Sequence, residues 1–139
     1  MKSISIRPII FLVVILLFAS CNLTSTKTKS PSFIDINKAQ KELANLIASE
    51  NFNLNGKEVT QNKKATSELE VSIINGQKIP TNESERKALG KLIAKTIKNN
   101  LKDRNAYDSY SVLFVTKTET GGVTKHDWVG NAFSSSELE

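Results

Sequence analysis

The 139-residue chain has one cysteine, one histidine, one tryptophan and three prolines. A lone cysteine, Cys21, excludes an intrachain disulfide. One histidine and one cysteine leave only scattered carboxylates for a metal. Paired histidines and EF-hand spacing are both missing, so no metal ligand is assigned. Glycine is scarce too, and Gly121-Gly122 is followed by β-type residues rather than a helix, which makes it a turn and not a phosphate loop. His126 stands beside Asp127 on a presumed strand, where neighbouring side chains point to opposite faces and cannot form a dyad. Ser109, Ser111 and Ser134–Ser136 lack any nucleophile-elbow context, so a hydrolase is the least supported class. These scarcities leave no catalytic residue, no metal and no cofactor to assign.

What the chain does have begins at residue 1. Lys2 and Arg7 form a basic start, Pro8 to Ala19 is an unbroken apolar run, and Ser20-Cys21 follows. The run is shorter than the roughly 20 residues a membrane-spanning helix needs, and it fits the hydrophobic centre of an export signal. The ending Leu17-Phe18-Ala19-Ser20-Cys21 resembles the lipobox of bacterial lipoproteins, with Phe18 where that family usually carries leucine. The resemblance implies cleavage before Cys21 and acylation of Cys21, so that residues 1–20 are a signal peptide. It implies a lipid-anchored protein of the cell envelope facing the periplasm, at the outer membrane rather than the inner, with exposure at the cell surface as the alternative. Asn22 to Ser32 holds no acidic residue, unlike the acidic export signal of some surface-exposed lipoproteins of Bacteroidetes-type bacteria.

Charge sorts along the same boundary. The whole chain carries a formal +5, but a 119-residue product starting at Cys21 carries +3, and only +1 without Lys27 and Lys29. The basic balance therefore belongs largely to the signal and the segment after it, and nucleic acid is not an expected partner. Residues 21–32, rich in Ser, Thr and Lys, have too little apolar surface to offset the entropy of ordering and are expected to be a flexible tether. Residues 33–139 are expected to form one domain.

Periodicity then supplies the elements. A helix is expected from about Asp35 to Glu50, with Ile36, Ala39, Leu43, Leu46 and Ile47 on one face. Asn51 to Thr60 is ambiguous between strand and loop, because Asn55-Gly56, like Asn75-Gly76, is a strong turn signal. Glu68 to Ile74 alternates as a strand, after a polar loop at Gln61 to Thr66. A second helix opens at Asn82, with Glu85 three residues on, and buries Leu89, Leu92, Ile93, Thr96 and Ile97. Tyr107 to Thr118 is a strand apolar on both faces up to Val115, which predicts cover on both sides at that end. Gly121-Gly122 turns it back into Val123 to Phe133. The order α-(β)-β-α-β-β predicts an α+β domain: a mixed three- or four-stranded sheet with two amphipathic helices on one face. The strand at 68–75, the Ile79-Pro80 helix start, the strand at 107–118 and the ending Phe133 to Leu138 also resemble small uncharacterised lipoproteins of Bacteroidetes-type bacteria, a group that implies no activity.

Two surfaces stand out as candidates for binding. Lys87, Lys91, Lys95, Lys98 and Lys102 fall within an arc of about 80° on the second helix, a rail suited to an anionic lipid, polymer or acidic partner. Tyr107, Tyr110 and Trp128 offer amphipathic contact to a partner or a small ligand on the sheet. The expected role is a non-enzymatic binding or structural module of the envelope, with a small-ligand-binding or inhibitor-type module as the alternative.

Overall fold

Both helices start where a polar side chain meets exposed backbone donors. The computed structural model describes residues 24–139. Helix α1 (Ile36–Leu46) is capped by Asp35, whose carboxylate accepts from the N–H groups of Asn37 and Lys38 at 2.9 and 3.1 Å. Helix α2 (Glu83–Asn100) is capped by Asn82, whose side-chain oxygen accepts from Ser84 and Glu85 at 2.9 and 3.2 Å. Such caps satisfy N–H groups that have no partner within the helix.

Five strands surround these helices in the chain: β1 (Thr24–Thr28) precedes α1, β2 (Asn51–Gln61) and β3 (Lys64–Ile74) precede α2, and β4 (Ser109–Thr120) and β5 (Val123–Ser134) follow it. A short 3-10 turn, Ser135–Leu138, closes the described chain. The sheet keeps chain order, β1-β2-β3-β4-β5. All neighbours are antiparallel except β3 and β4, which are parallel because α2 carries the chain back between them. The fold is α+β with a mixed sheet and two helices, as the pattern predicts. The strand count is five rather than three or four, and the order is β-α-β-β-α-β-β.

One face of the sheet carries the core. Leu69, Val71 and Ile73 of β3 lie in register with Tyr110, Val112 and Phe114 of β4, and Phe133 of β5 sits opposite Tyr110. These side chains meet Leu43 and Ile47 beside α1 and Ile93, Ala94, Ile97 and Leu101 beside α2, all buried in one cluster. Only every fourth residue of α1 is buried, so Ile36 and Leu46 of the expected apolar face are exposed. Leu92 of α2 is likewise 53% exposed.

The opposite face is open. Expected cover over Leu113 and Val115 is not found; among the described residues no element lies on that side, and both are half-buried within the sheet surface. Leu113 shields itself by lying over Gly130, where an added Cβ would come within 2.5 Å of its Cδ2.

The segment expected as a tether is structured from Thr24 onward. Thr24–Thr28 pairs residue for residue with Lys57–Gln61, and the Lys29 N–H continues the ladder to Gly56 O at 2.8 Å. The Tyr107 hydroxyl donates to Lys29 O, and the Lys29 ammonium donates to Ala106 O and sits 5.3 Å from the centre of the Tyr107 ring. Every β1 side chain is exposed. Its ordering comes from backbone pairing, which leaves no apolar pattern to read.

Candidate functional site

Cys21, the expected lipidation site, lies outside the described residues. The other candidates all lie within them, and the sheet separates them.

Tyr107 and Tyr110 are core residues, not contact surface. They are 1% and 0% exposed, with rings edge to face at a centroid distance of 6.1 Å. Tyr110 alternates with Val112 and Phe114 and so points where they point, under the helices. Its hydroxyl has no hydrogen-bond partner, and burial first, then the charges of Tyr107 and Asp103, pushes its pKa up to about 12. Burial likewise raises the Tyr107 hydroxyl. Beside them, the Asp108 carboxylate accepts from the Ser67 N–H at 2.7 Å and from its hydroxyl at 2.9 Å, which holds it below the usual carboxylate range. These bonds tie β3 to the entry of β4.

The lysine rail is interrupted. Lys98 is 4% exposed, and its ammonium donates to Ser135 O at 2.7 Å and to the Glu139 carboxylate. Lys95 is half-buried and donates to Glu139 O at 2.8 Å. Lys87, Lys91 and Lys102 are exposed. The 3-10 turn supplies the acid that part of the helix face meets. Ser134 N–H and hydroxyl first, and Lys87 and Lys91 by their charge, hold Glu137 low, while Lys98 does the same for Glu139. Helical spacing alone placed Lys98 at the solvent; the returning chain buries it.

Trp128 is the aromatic candidate that stays at the surface, 70% exposed on the open face opposite Val115. Across the strand from it, on the helix-bearing side, a hollow bounded by Phe114, Thr116, Asp127, Trp128 and Val129 measures about 200 Å³. Small-molecule sites run from about 300 Å³ upward and enclose most of their ligand, so this shallow notch suits a contact surface better than a ligand cavity. His126 is on the face of Trp128, opposite Lys117, while Asp127 points to the other face and pairs with Lys125 at 2.9 Å.

Toward β2 the open face turns polar. Asn51, Asn53 and Asn55 share it, as do Lys57, Glu68, Glu70 and Ser111. Glu68 accepts from the Ser111 hydroxyl and pairs with Lys57 at 3.1 Å, which lowers its pKa. The alternation Asn-Phe-Asn-Leu-Asn at 51–55 carries this row in plain sight, but the Asn55-Gly56 turn signal competes with it. At the far end of β3, Asn75 donates to Glu50 at 2.6 Å and accepts from the Lys117 N–H at 2.8 Å, fixing β3 to β4.

Among the described residues, no helix is long and apolar enough to cross a membrane, and no group of three or more His, Cys, Asp or Glu side chains is placed to hold a metal ion. No protein-family model matches the chain, and neither a curated protein nor a solved structure matches it significantly.

Proposed function

We propose that this chain is a lipoprotein of a bacterial cell envelope, anchored through acylated Cys21 to a membrane facing the periplasm, and that its domain is a non-enzymatic module for binding a protein partner. The anchoring reading rests on one observation: the basic start, the twelve-residue apolar run and Leu17-Phe18-Ala19-Ser20-Cys21 follow one another in that order. Acyl chains contribute about 0.8 kcal/mol per buried CH₂, so a multiply acylated terminus partitions firmly. The open sheet face with exposed Trp128 supports a protein partner over a small ligand, since among the described residues the hollow on it, between Glu50, Asn75, Lys117 and Glu119, measures about 280 Å³, below the usual range of small-molecule sites.

Metabolic labelling with a fatty-acid probe and fractionation of the envelope test the anchor. Wild-type chain should carry label and sediment with membranes. Cys21→Ser should lose the label and either accumulate as precursor or leave the membrane fraction. Wild-type protein recovered unlabelled and free of the membrane would overturn the reading.

A further inference from the structure

We propose that β5 is a self-complementary edge: it pairs antiparallel with β5 of a second copy about a twofold axis through His126, joining two five-stranded sheets into one of ten strands. This needs only the sheet edge and stands apart from the anchoring reading.

Among the described residues, the edge is open along one stretch. β5 ends the sheet, and all seven residues from Val123 to Val129 are exposed, a run whose midpoint is His126. Its backbone directions follow from the bonds of β4. Val115 O accepts from the Asn75 N–H and the Lys117 N–H donates to Asn75, so odd-numbered β4 residues address β3. Asp108 O accepts from the Ser135 N–H, so even-numbered β4 residues address β5. Their β5 partners are the odd-numbered residues, among them Lys125, Asp127 and Val129. The N–H and C=O groups of Thr124, His126 and Trp128 therefore point away from β4, toward the free edge.

Register decides between self-pairings. Centred on Lys125 or Asp127, a twofold sets that charge against its own copy. Centred on Trp128, it sets Asp127 against Val129 and Lys125 against Asn131. Centred on His126, it sets Lys125 against Asp127 twice and Val123 against Val129 twice, which covers the two exposed valines of β5. The same register places Thr124 opposite Trp128 and His126 opposite itself, so each outward backbone group meets another and each facing pair exchanges two hydrogen bonds. Opposed residues fall on the same face in both copies, so the helices of both lie on one side. Such an isologous contact closes on itself as a dimer.

Sheet edges are usually blunted by brevity, charge or proline. β1 is blunted: five residues, all small or lysine. β5 is twelve residues long, lacks proline, and the two charges of its exposed run are spaced so that each meets the opposite charge of a second copy.

The test uses the full chain with Cys21→Ser, so that an introduced cysteine is the lone thiol. His126→Cys should form a disulfide-linked dimer under mild oxidation, because directly opposed Cα atoms lie about 5.5 Å apart, within disulfide reach. Val123→Cys should not, because its own copy lies six residues along the strand, about 20 Å away. In the His126→Cys background, Lys125→Asp or Asp127→Lys alone should cut the dimer yield at least tenfold, and the swapped pair should restore it. Circular dichroism confirms that each variant keeps the fold. Absence of the residue-126 dimer, equal cross-linking at residue 123, or single reversals without effect would each overturn the proposal.

Discussion

Gly56→Ala should be far more damaging than a methyl group on a strand normally is. Gly56 is buried on β2, opposite Leu69, beneath the crossing of Lys29 and Tyr107. An added Cβ would overlap Lys29 O and stand 2.5 Å from the Tyr107 hydroxyl oxygen. The first obstacle is backbone and cannot rotate aside, so Lys29 must retreat. Three hydrogen bonds leave with it: Lys29 N–H to Gly56 O, Tyr107 hydroxyl to Lys29 O, and Lys29 ammonium to Ala106 O. At about 1 kcal/mol per bond, with a further 1–2 kcal/mol for a stranded buried hydroxyl, the loss is roughly 4 kcal/mol. The lower entropy of alanine in the unfolded chain returns up to about 1 kcal/mol. The expected net loss is about 3 kcal/mol, measured by urea denaturation followed in the far ultraviolet, because exposed Trp128 is a poor fluorescence reporter of folding. A double-mutant cycle with Tyr107→Phe adds a stricter criterion. Since both changes break the same Tyr107–Lys29 bond, their effects should fall short of additivity by at least about 1 kcal/mol. A Gly56→Ala loss below about 1 kcal/mol, or strict additivity, would refute the argument that this glycine exists to let Lys29 and Tyr107 meet.

Two further outcomes follow from the buried polar groups. Tyr110→Phe removes a hydroxyl that has no partner, so stability near neutral pH should stay level or rise by up to about 1 kcal/mol. The fold favours the neutral phenol and the unfolded chain ionises first, near pH 10. Wild type should therefore lose stability as pH rises from about 10 toward 12, and Tyr110→Phe should lose less; urea midpoints at pH 9 and 11 provide the check, and identical slopes would contradict it. Lys98→Ala should cost about 2 kcal/mol through its bond to Ser135 O and the loss of its buried stem, while Lys91→Ala stays within about 0.5 kcal/mol. Equal effects in thermal melts would return Lys98 to the solvent face.

The parts of the fold legible in the sequence are those where local pattern and tertiary position agree. The spacing of Ala39, Leu43 and Ile47, the caps at Asp35 and Asn82, the alternation along β3 and the Gly121-Gly122 turn all declare themselves. The β2–β3 hairpin does not. Its turn is Asn62-Lys63, with φ of 51° and 65°, a two-residue left-handed turn that asparagine tolerates but lysine does not advertise. Asn55-Gly56 carries the stronger turn signal yet lies mid-strand, its glycine serving a close approach instead. The site residues depart from their local pattern for related reasons. Alternation already placed Tyr110 with Val112 and Phe114, but its amphipathic chemistry suggested a surface role. Lys98 is buried by residues 37 and 41 positions further on, a separation that helical periodicity cannot see. Open edges leave the faintest trace, since their bonding capacity is backbone and does not depend on side-chain pattern.

β1 sets a limit on how far an anchored domain can stray. A tether running from Cys21 through Ser32 would give a leash of about 40 Å at full stretch, enough to let the domain roam the space beside a bilayer. Among the described residues pairing instead begins at Thr24, three residues after Cys21, a span of at most about 10 Å. Were Cys21 acylated as proposed, the β1 edge would lie within that distance of the headgroups. Any partner would then have to come to the membrane surface to be met.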